Sequence, residues 1–144
     1  MTESSQISAN TIRRSRLFWE QSRQDLQEAK GYLRREAFLE SGHLGFQAAI
    51  NALSAVCILQ GHYRLPNTTP LLLLDLCREA DRHFVDLGDS CQALEDAAGG
   101  SPFAEHPSTG DAKAKAVDHL RESERILAAV RGYLKENKKR FYSP

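Results

Sequence analysis

Apolar residues recur along most of this chain at intervals of three and four positions, with charged residues between them. This spacing is typical of amphipathic helices, and no alternating run of β-branched residues indicates a strand. The periodicity predicts helices over about 15–35, 40–61, 70–84, 86–98 and 111–137. Short connections favour antiparallel neighbours. The sequence therefore predicts an all-α fold, an antiparallel up-and-down bundle of four or five helices.

The first and last predicted helices each carry one apolar stripe. The stripe of the first consists of Phe18, Leu26, Ala29 and Leu33, with Leu17 and Tyr32 at its edges. The stripe of the last consists of Ala116, Leu120, Leu127, Val130 and Leu134, with Val117 and Ile126 beside it. On the outer face, Glu122 with Arg125 and Arg121 with Glu124 are expected to form ordinary i,i+3 surface pairs.

The second predicted helix has few charges and is apolar over a wide arc that includes Phe46, Ile50 and Leu53. Alanines between these residues would let a neighbouring helix approach closely, and Gly61 is a plausible stop. We expect this helix to be the central, most buried one. Thr69 followed by Pro70 is a strong start for the third helix, because a side-chain oxygen precedes proline at the first helical position.

The organisation expected from composition is one bundle domain over 13–138, a flexible segment over 1–12 and a short tail over 139–144. The stretch 99–110 is a loop, either mobile or functional. The polar start of the chain is not a signal peptide, and no apolar stretch approaches the roughly 20 residues of a membrane span. These features predict a cytoplasmic protein without a membrane partner.

Charge is balanced, with 19 Lys and Arg against 19 Asp and Glu in 144 residues. This argues against a general nucleic-acid binder, although not against a local basic patch. Arg13, Arg14, Arg16 and Arg23 make the beginning of the chain basic. They could form a docking face for an acidic partner, or serve solubility alone.

Metal, cofactor and disulfide chemistry have little support. The three cysteines, Cys57, Cys77 and Cys91, form no CxxC pair and are expected to be buried small hydrophobes in a reducing compartment. Glu40 and His43 form an ExxH, but a di-iron bundle requires two such motifs and further glutamates. We therefore predict no metal site and no cofactor.

One pair of residues could do chemistry. Arg78 is followed after four residues by His83, so that a histidine could act as general acid or base on RNA while an arginine holds phosphate. On a regular helix the two side chains would diverge by about 140°. The simpler interpretation is that both are exposed helix residues and that Arg78 and Arg82 pair with nearby acids.

The stretch Phe46-Gln47-Ala48-Ala49-Ile50-Asn51-Ala52-Leu53-Ser54-Ala55-Val56 resembles the second helix of the HEPN domain family. The turn over 61–66, the leucine-rich third helix, the loop at Phe103 to Pro107 and the long last helix are also similar, so the resemblance spans about 13–136. Several family positions differ here. Asn51 lies where family members often have an acidic residue, and Ser54 lies where they often have lysine. Thr69 lies where they commonly have histidine, and His106-Pro107 where they often have Tyr-Pro.

The resemblance implies a small helical bundle, frequent homodimers and frequent pairing with a small nucleotidyltransferase in toxin–antitoxin-like modules. The resemblance also implies that active members are metal-independent ribonucleases with an Arg-x4–6-His motif near a dimer cleft, and only Arg78 and His83 match that spacing here. Because Glu79 follows Arg78 where the family often has a polar amide, and because the other family positions named above differ, we expect a non-catalytic module that binds a protein partner, a nucleotide or RNA. Candidate binding residues are Arg64, Arg82 and His106. The alternatives are a HEPN ribonuclease and a plain helical scaffold unrelated to HEPN.

Overall fold

The computed structural model describes residues 8–62, 69–78, 82–99 and 109–137; at 78, 82, 83, 85, 98, 99 and 109–111 the description covers the backbone alone. Five α-helices lie in these ranges: α1 (Ala9–Arg34), α2 (Phe38–Leu59), α3 (Pro70–Arg78), α4 (Gly88–Gly99) and α5 (Thr109–Glu136). A 3-10 segment, Arg82–Leu87, precedes α4, and these ranges contain no strand. The predicted all-α helical bundle is confirmed.

The second helix is the centre of the bundle, as its composition predicts. It contacts each of the other four α-helices, and Leu53 and Val56 on it are fully buried. By length and composition alone α2 could also cross a membrane, contrary to the expectation from the sequence. However, 72% of its most apolar window is buried inside the bundle, and a core helix passes the same test.

Serine hydroxyls join α1 to α2 along their whole interface. Each donates a hydrogen bond to a backbone carbonyl of the facing helix, in the pairs Ser15 with Ala55 (2.7 Å), Ser22 with Ala48 (2.7 Å) and Ser41 with Ala29 (2.9 Å). Each step of seven along α1 is matched by a step of seven back along α2, so the two helices are antiparallel in constant register. Such short side chains reach a facing carbonyl only because alanines keep the two backbones close.

The buried face of α1 is more polar than the predicted stripe. Ala29 is fully buried, but Phe18, Leu26 and Leu33 are only half-buried, and Leu17 is 66% exposed. The buried positions at the centre of the face are mostly polar: Thr11, Ser15, Trp19, Ser22, Asp25 and Ala29. The predicted face was right, whereas the placement of Leu17 at its edge was wrong, because this residue points away from the face formed by Ser15, Ser22 and Ala29.

Three helices begin earlier than the periodicity indicates, and α2 does so by two residues, at Phe38. The first starts at Ala9, because the Ser8 hydroxyl caps it by accepting a hydrogen bond from the Thr11 amide at 3.1 Å. Residues 9–12 are therefore helical although they fall in the segment expected to be flexible. The last helix starts at Thr109, two residues before the expected cap at Asp111.

The third helix, α3, starts where the sequence predicts but ends earlier than predicted. Thr69 Oγ1 accepts from the Leu72 amide at 3.4 Å, and the Glu95 carboxylate of α4 accepts from the Leu71 amide at 2.6 Å. The helix ends at Arg78, whereas the prediction continued it to about Phe84. Phe84 lies in the 3-10 segment, fully buried, with its ring centroid 5.8 Å from that of Tyr133.

The last helix follows its prediction closely. All five stripe residues and Ile126 are buried, and Val117 is half-buried. Arg125 pairs with Glu122 at 3.5 Å as expected. Arg121, however, pairs with Asp118, and Glu124 pairs with Lys30 of α1. The three cysteines are buried, as predicted, and none of them forms a disulfide bond.

Candidate ligand-binding groove

A groove of about 490 Å³ runs between α1 and α5. Leu26 from α1 and Leu127 from α5 supply its apolar part, and the rest of its lining is polar or charged: Glu20, Arg23, Gln24, Gln27, Glu28, Lys30 and Arg131. Small-molecule sites typically have volumes of about 300–1,000 Å³, with a few polar groups around an apolar surface. The groove has the size of such a site, but its lining is mostly polar and charged.

Three cations line this groove, and two of them have acidic neighbours. Lys30 Nζ lies 3.0 Å from Glu124 Oε2 of α5, and this pair joins the two helices at one end of the groove. Arg23 lies 3.7 Å from Glu20, with both side chains more than half exposed. Exposed pairs of this kind contribute little stability, so a ligand can compete for the cations.

Arg131 is different from the other two cations. It is exposed, lines the groove, and forms no ion pair with any residue in the described part of the chain. A guanidinium presents a planar fork of donors that fits carboxylate and phosphate groups. Arg131 is therefore the group in the groove best placed to bind an anion.

The local sequence explains part of this arrangement. Arg23 and Lys30 are seven residues apart, which is about two turns, so they emerge from the same side of α1. The sequence marked Arg23 as part of a basic docking face but gave Lys30 and Arg131 no role. Arg131 joins them only because α5 packs beside α1, and local periodicity carries no signal for that pairing.

A buried polar contact lies where α1 meets α2. The Asp25 carboxylate accepts from Asn51 Nδ2 at 2.9 Å and from Gln21 Nε2 at 2.8 Å, and both Asp25 and Asn51 are buried. Asn51 occupies the position at which the resemblance leads one to expect an acid. Here the acid is on α1 instead, and Asn51 is its hydrogen-bond donor.

His119 on α5 is a second titratable group in a partly buried position. Desolvation lowers the pKa of His119, and Lys115 lowers it further, against the opposing effect of Asp118 and Glu122. Ser123, one helical turn after His119, is buried, and its hydroxyl donates to the carbonyl of Gly45 on α2 at 2.9 Å. The sequence gave His119 no function. The hydrogen bond of Ser123 to α2 indicates that this part of α5 contributes to helix packing.

The residues that the sequence proposed for catalysis and binding belong to α3, to the 3-10 segment or to ranges outside the described residues. Arg78 is the last residue of α3, and Arg82 and His83 begin the 3-10 segment; the description covers only their backbone. Arg64 and His106 lie outside the described residues. Since Arg78 belongs to an α-helix and His83 to a 3-10 segment, the 140° separation of a regular helix does not apply to them. Over the described ranges, no group of three or more His, Cys, Asp or Glu could hold a metal ion.

Comparison of the chain with protein-family models, with curated proteins and with solved structures gave no significant match.

Proposed function

We propose that this chain is a non-catalytic, HEPN-like helical module whose α1–α5 groove binds a nucleotide. The observation that carries the proposal is Arg131, which has no ion-pair partner among the described residues and lines the groove together with Arg23, Lys30 and an apolar surface. A nucleotide combines these two chemistries, since its phosphates are anionic and its base has two flat apolar faces.

The proposed contacts follow from the lining of the groove. Arg131 and Arg23 bind the phosphates, because charge-assisted hydrogen bonds from guanidinium to phosphate are among the stronger polar contacts. Leu26 and Leu127 contact the base. Glu28 has no ion-pair partner among the described residues and can accept a hydrogen bond from a base amino group.

The test is a binding titration with a fluorescently labelled adenosine triphosphate, followed by polarisation. Arg131→Gln is expected to weaken binding about tenfold, which corresponds to about 1.4 kcal/mol. Lys113→Gln is the matched control: it removes a cation from an exposed position of the same helix outside the groove lining, and affinity should not change. Equal affinity of wild type and Arg131→Gln would exclude the groove as the nucleotide site.

The resemblance also leads us to propose a cytoplasmic homodimer that pairs with a small nucleotidyltransferase. Light scattering over a range of concentrations tests the first part, since a constant monomer mass would remove the dimer. Co-expression with a nucleotidyltransferase encoded beside this chain, followed by purification, tests the second. If the groove binds a protein partner and not a nucleotide, the wild type will not bind the labelled nucleotide. Arg131→Gln will then reduce the amount of partner that purifies with the chain.

A ribonuclease function remains the second candidate, because Arg78 and His83 lie on two different kinds of helix rather than on one regular helix. Incubating the protein with RNA in a metal chelator tests it. His83→Ala should abolish cleavage, whereas His43→Ala, which changes an exposed histidine on α2, should not. Absence of cleavage by the wild type would end this alternative.

A further inference from the structure

Two of the three cysteines face each other across the contact between α2 and α3. Cys57 Sγ lies 3.4 Å from Cys77 Sγ, and neither side chain is exposed to solvent. Each thiol also lies near a carbonyl of the opposite helix, Cys57 near Leu73 (3.5 Å) and Cys77 near Leu53 (3.7 Å). The two sulfur atoms are thus held at a fixed position relative to each other.

We propose that Cys57 and Cys77 form a reversible intramolecular disulfide when the protein meets hydrogen peroxide. A disulfide has a sulfur–sulfur distance of about 2.05 Å, so the two atoms need to approach by roughly 1.3 Å. Side-chain rotation and a small shift of α3 provide that movement. The cross-link joins the end of α3, next to Arg78, to the central helix.

The reaction is balanced in two steps. One thiolate attacks a peroxide oxygen, the O–O bond breaks, and after protonation the leaving oxygen departs as water, which gives a sulfenic acid on that cysteine. The second thiol then attacks the sulfenic sulfur, the S–O bond breaks, and a second water leaves. In total the two thiols lose two protons and two electrons, and one peroxide is reduced to two waters.

Burial sets the rate of this reaction. Because both sulfurs are inaccessible, oxidation requires a local opening of α3 from α2. The helix α3 can open in this way because it is short, with nine residues, and its outer side carries Leu72 at 51% exposure. We expect oxidation slower than that of an exposed thiol, and hydrogen peroxide to react faster than a bulky disulfide such as oxidised glutathione.

Peptide mapping of the full chain tests the proposal. Native protein is treated with peroxide, its remaining thiols are alkylated in denaturant, and it is digested with trypsin, which cleaves after Arg64 and Arg78 and so separates the three cysteines. The expected product is one linked pair containing Cys57 and Cys77, with the intact mass lower by two hydrogen atoms before alkylation. Three alkylated cysteines, or a link that includes Cys91, would overturn the proposal.

Reversal and variants complete the test. Dithiothreitol should restore two thiols, which irreversible oxidation to sulfinic acid would not allow. The oxidised protein should melt roughly 5–10 °C higher than the reduced protein, since the link constrains the unfolded chain. Cys91→Ser should keep the link and Cys77→Ser should lose it; if Cys77→Ser does not fold, the wild-type peptide map decides alone.

Discussion

At the scale of single residues, the ends of α1 and α2 have the same geometry and different residues. After each helix, two hydrogen bonds close a turn in which one residue has a positive φ: Glu36 at 62° after α1 and Gly61 at 96° after α2. A left-handed conformation costs a non-glycine residue about 1–2 kcal/mol, whereas glycine adopts it freely. Gly61 allowed the turn after α2 to be predicted from the sequence. Nothing in the sequence around Glu36 predicted the turn after α1.

The variant Glu36→Gly is therefore expected to stabilise the protein. The gain should be about 0.5–1 kcal/mol, because relief of the left-handed strain is partly offset by the greater freedom of glycine in the unfolded chain. Thermal denaturation should show a melting temperature higher by roughly 1–4 °C. Gly61→Ala is the control and should lower it, although a Cβ there meets no atom within 4 Å. A drop in stability for Glu36→Gly would contradict this account.

A second expectation at the residue scale concerns pH. The pKa of His119 is lowered in the folded protein, chiefly by desolvation, so the unfolded chain binds a proton more readily. The stabilising contribution is then complete above the unfolded pKa of about 6.5 and is lost as the pH falls through that value toward the folded pKa. Urea denaturation at pH 7.5 and 5.5 measures this loss. His119→Gln should reduce the difference between the two pH values, and His43→Gln, which changes an exposed histidine, should preserve it.

At the scale of helices, the sequence predicted well which segments are helical, but it predicted poorly which helices contact each other. The stripe of α5 was legible because its buried positions are nearly all apolar, whereas the face of α1 has Ser15, Ser22 and Asp25 at its centre. Those polar residues are buried because each finds a hydrogen-bond partner on α2, and such a partner is invisible in the sequence of α1 alone. The same limit applies to the groove, in which Arg23 was noticed and Arg131 was not.

The close contact of α1 with α2 makes a distinct prediction for Ser22, which is fully buried and donates to the Ala48 carbonyl. Ser22→Ala removes one hydrogen bond and should cost about 1 kcal/mol. Ser22→Val also inserts bulk between two adjacent backbones and should cost more, by about 1–3 kcal/mol. Urea denaturation of both variants, with the exposed Gln24→Ala as a control, measures the order. Greater stability of the valine variant would refute the close packing.

At the scale of the whole molecule, α2 is the central helix of the bundle, and all of its residues over 51–59 are buried. Its contacts with all four other α-helices mean that a charge at its centre affects every interface at once. Phe46 and Ile50 at its edge are only half-buried and pack against the core, while Leu53 is completely enclosed. The consequence of a substitution should therefore depend on its position around α2 and not on residue type alone.

Leu53→Asp tests this directly. The variant places an unpaired carboxylate in an apolar interior, where burial of a charge without a partner costs more than the 4–5 kcal/mol that single substitutions rarely exceed. Domains have total stabilities of only about 5–15 kcal/mol, so we expect Leu53→Asp to be largely unfolded by circular dichroism at 25 °C. Leu72→Asp makes the same chemical change at a site that is 51% exposed near the start of α3, where a carboxylate also interacts favourably with the helix dipole. It should melt close to the wild type, and similar melting of both variants would mean that α2 is not the centre of the fold.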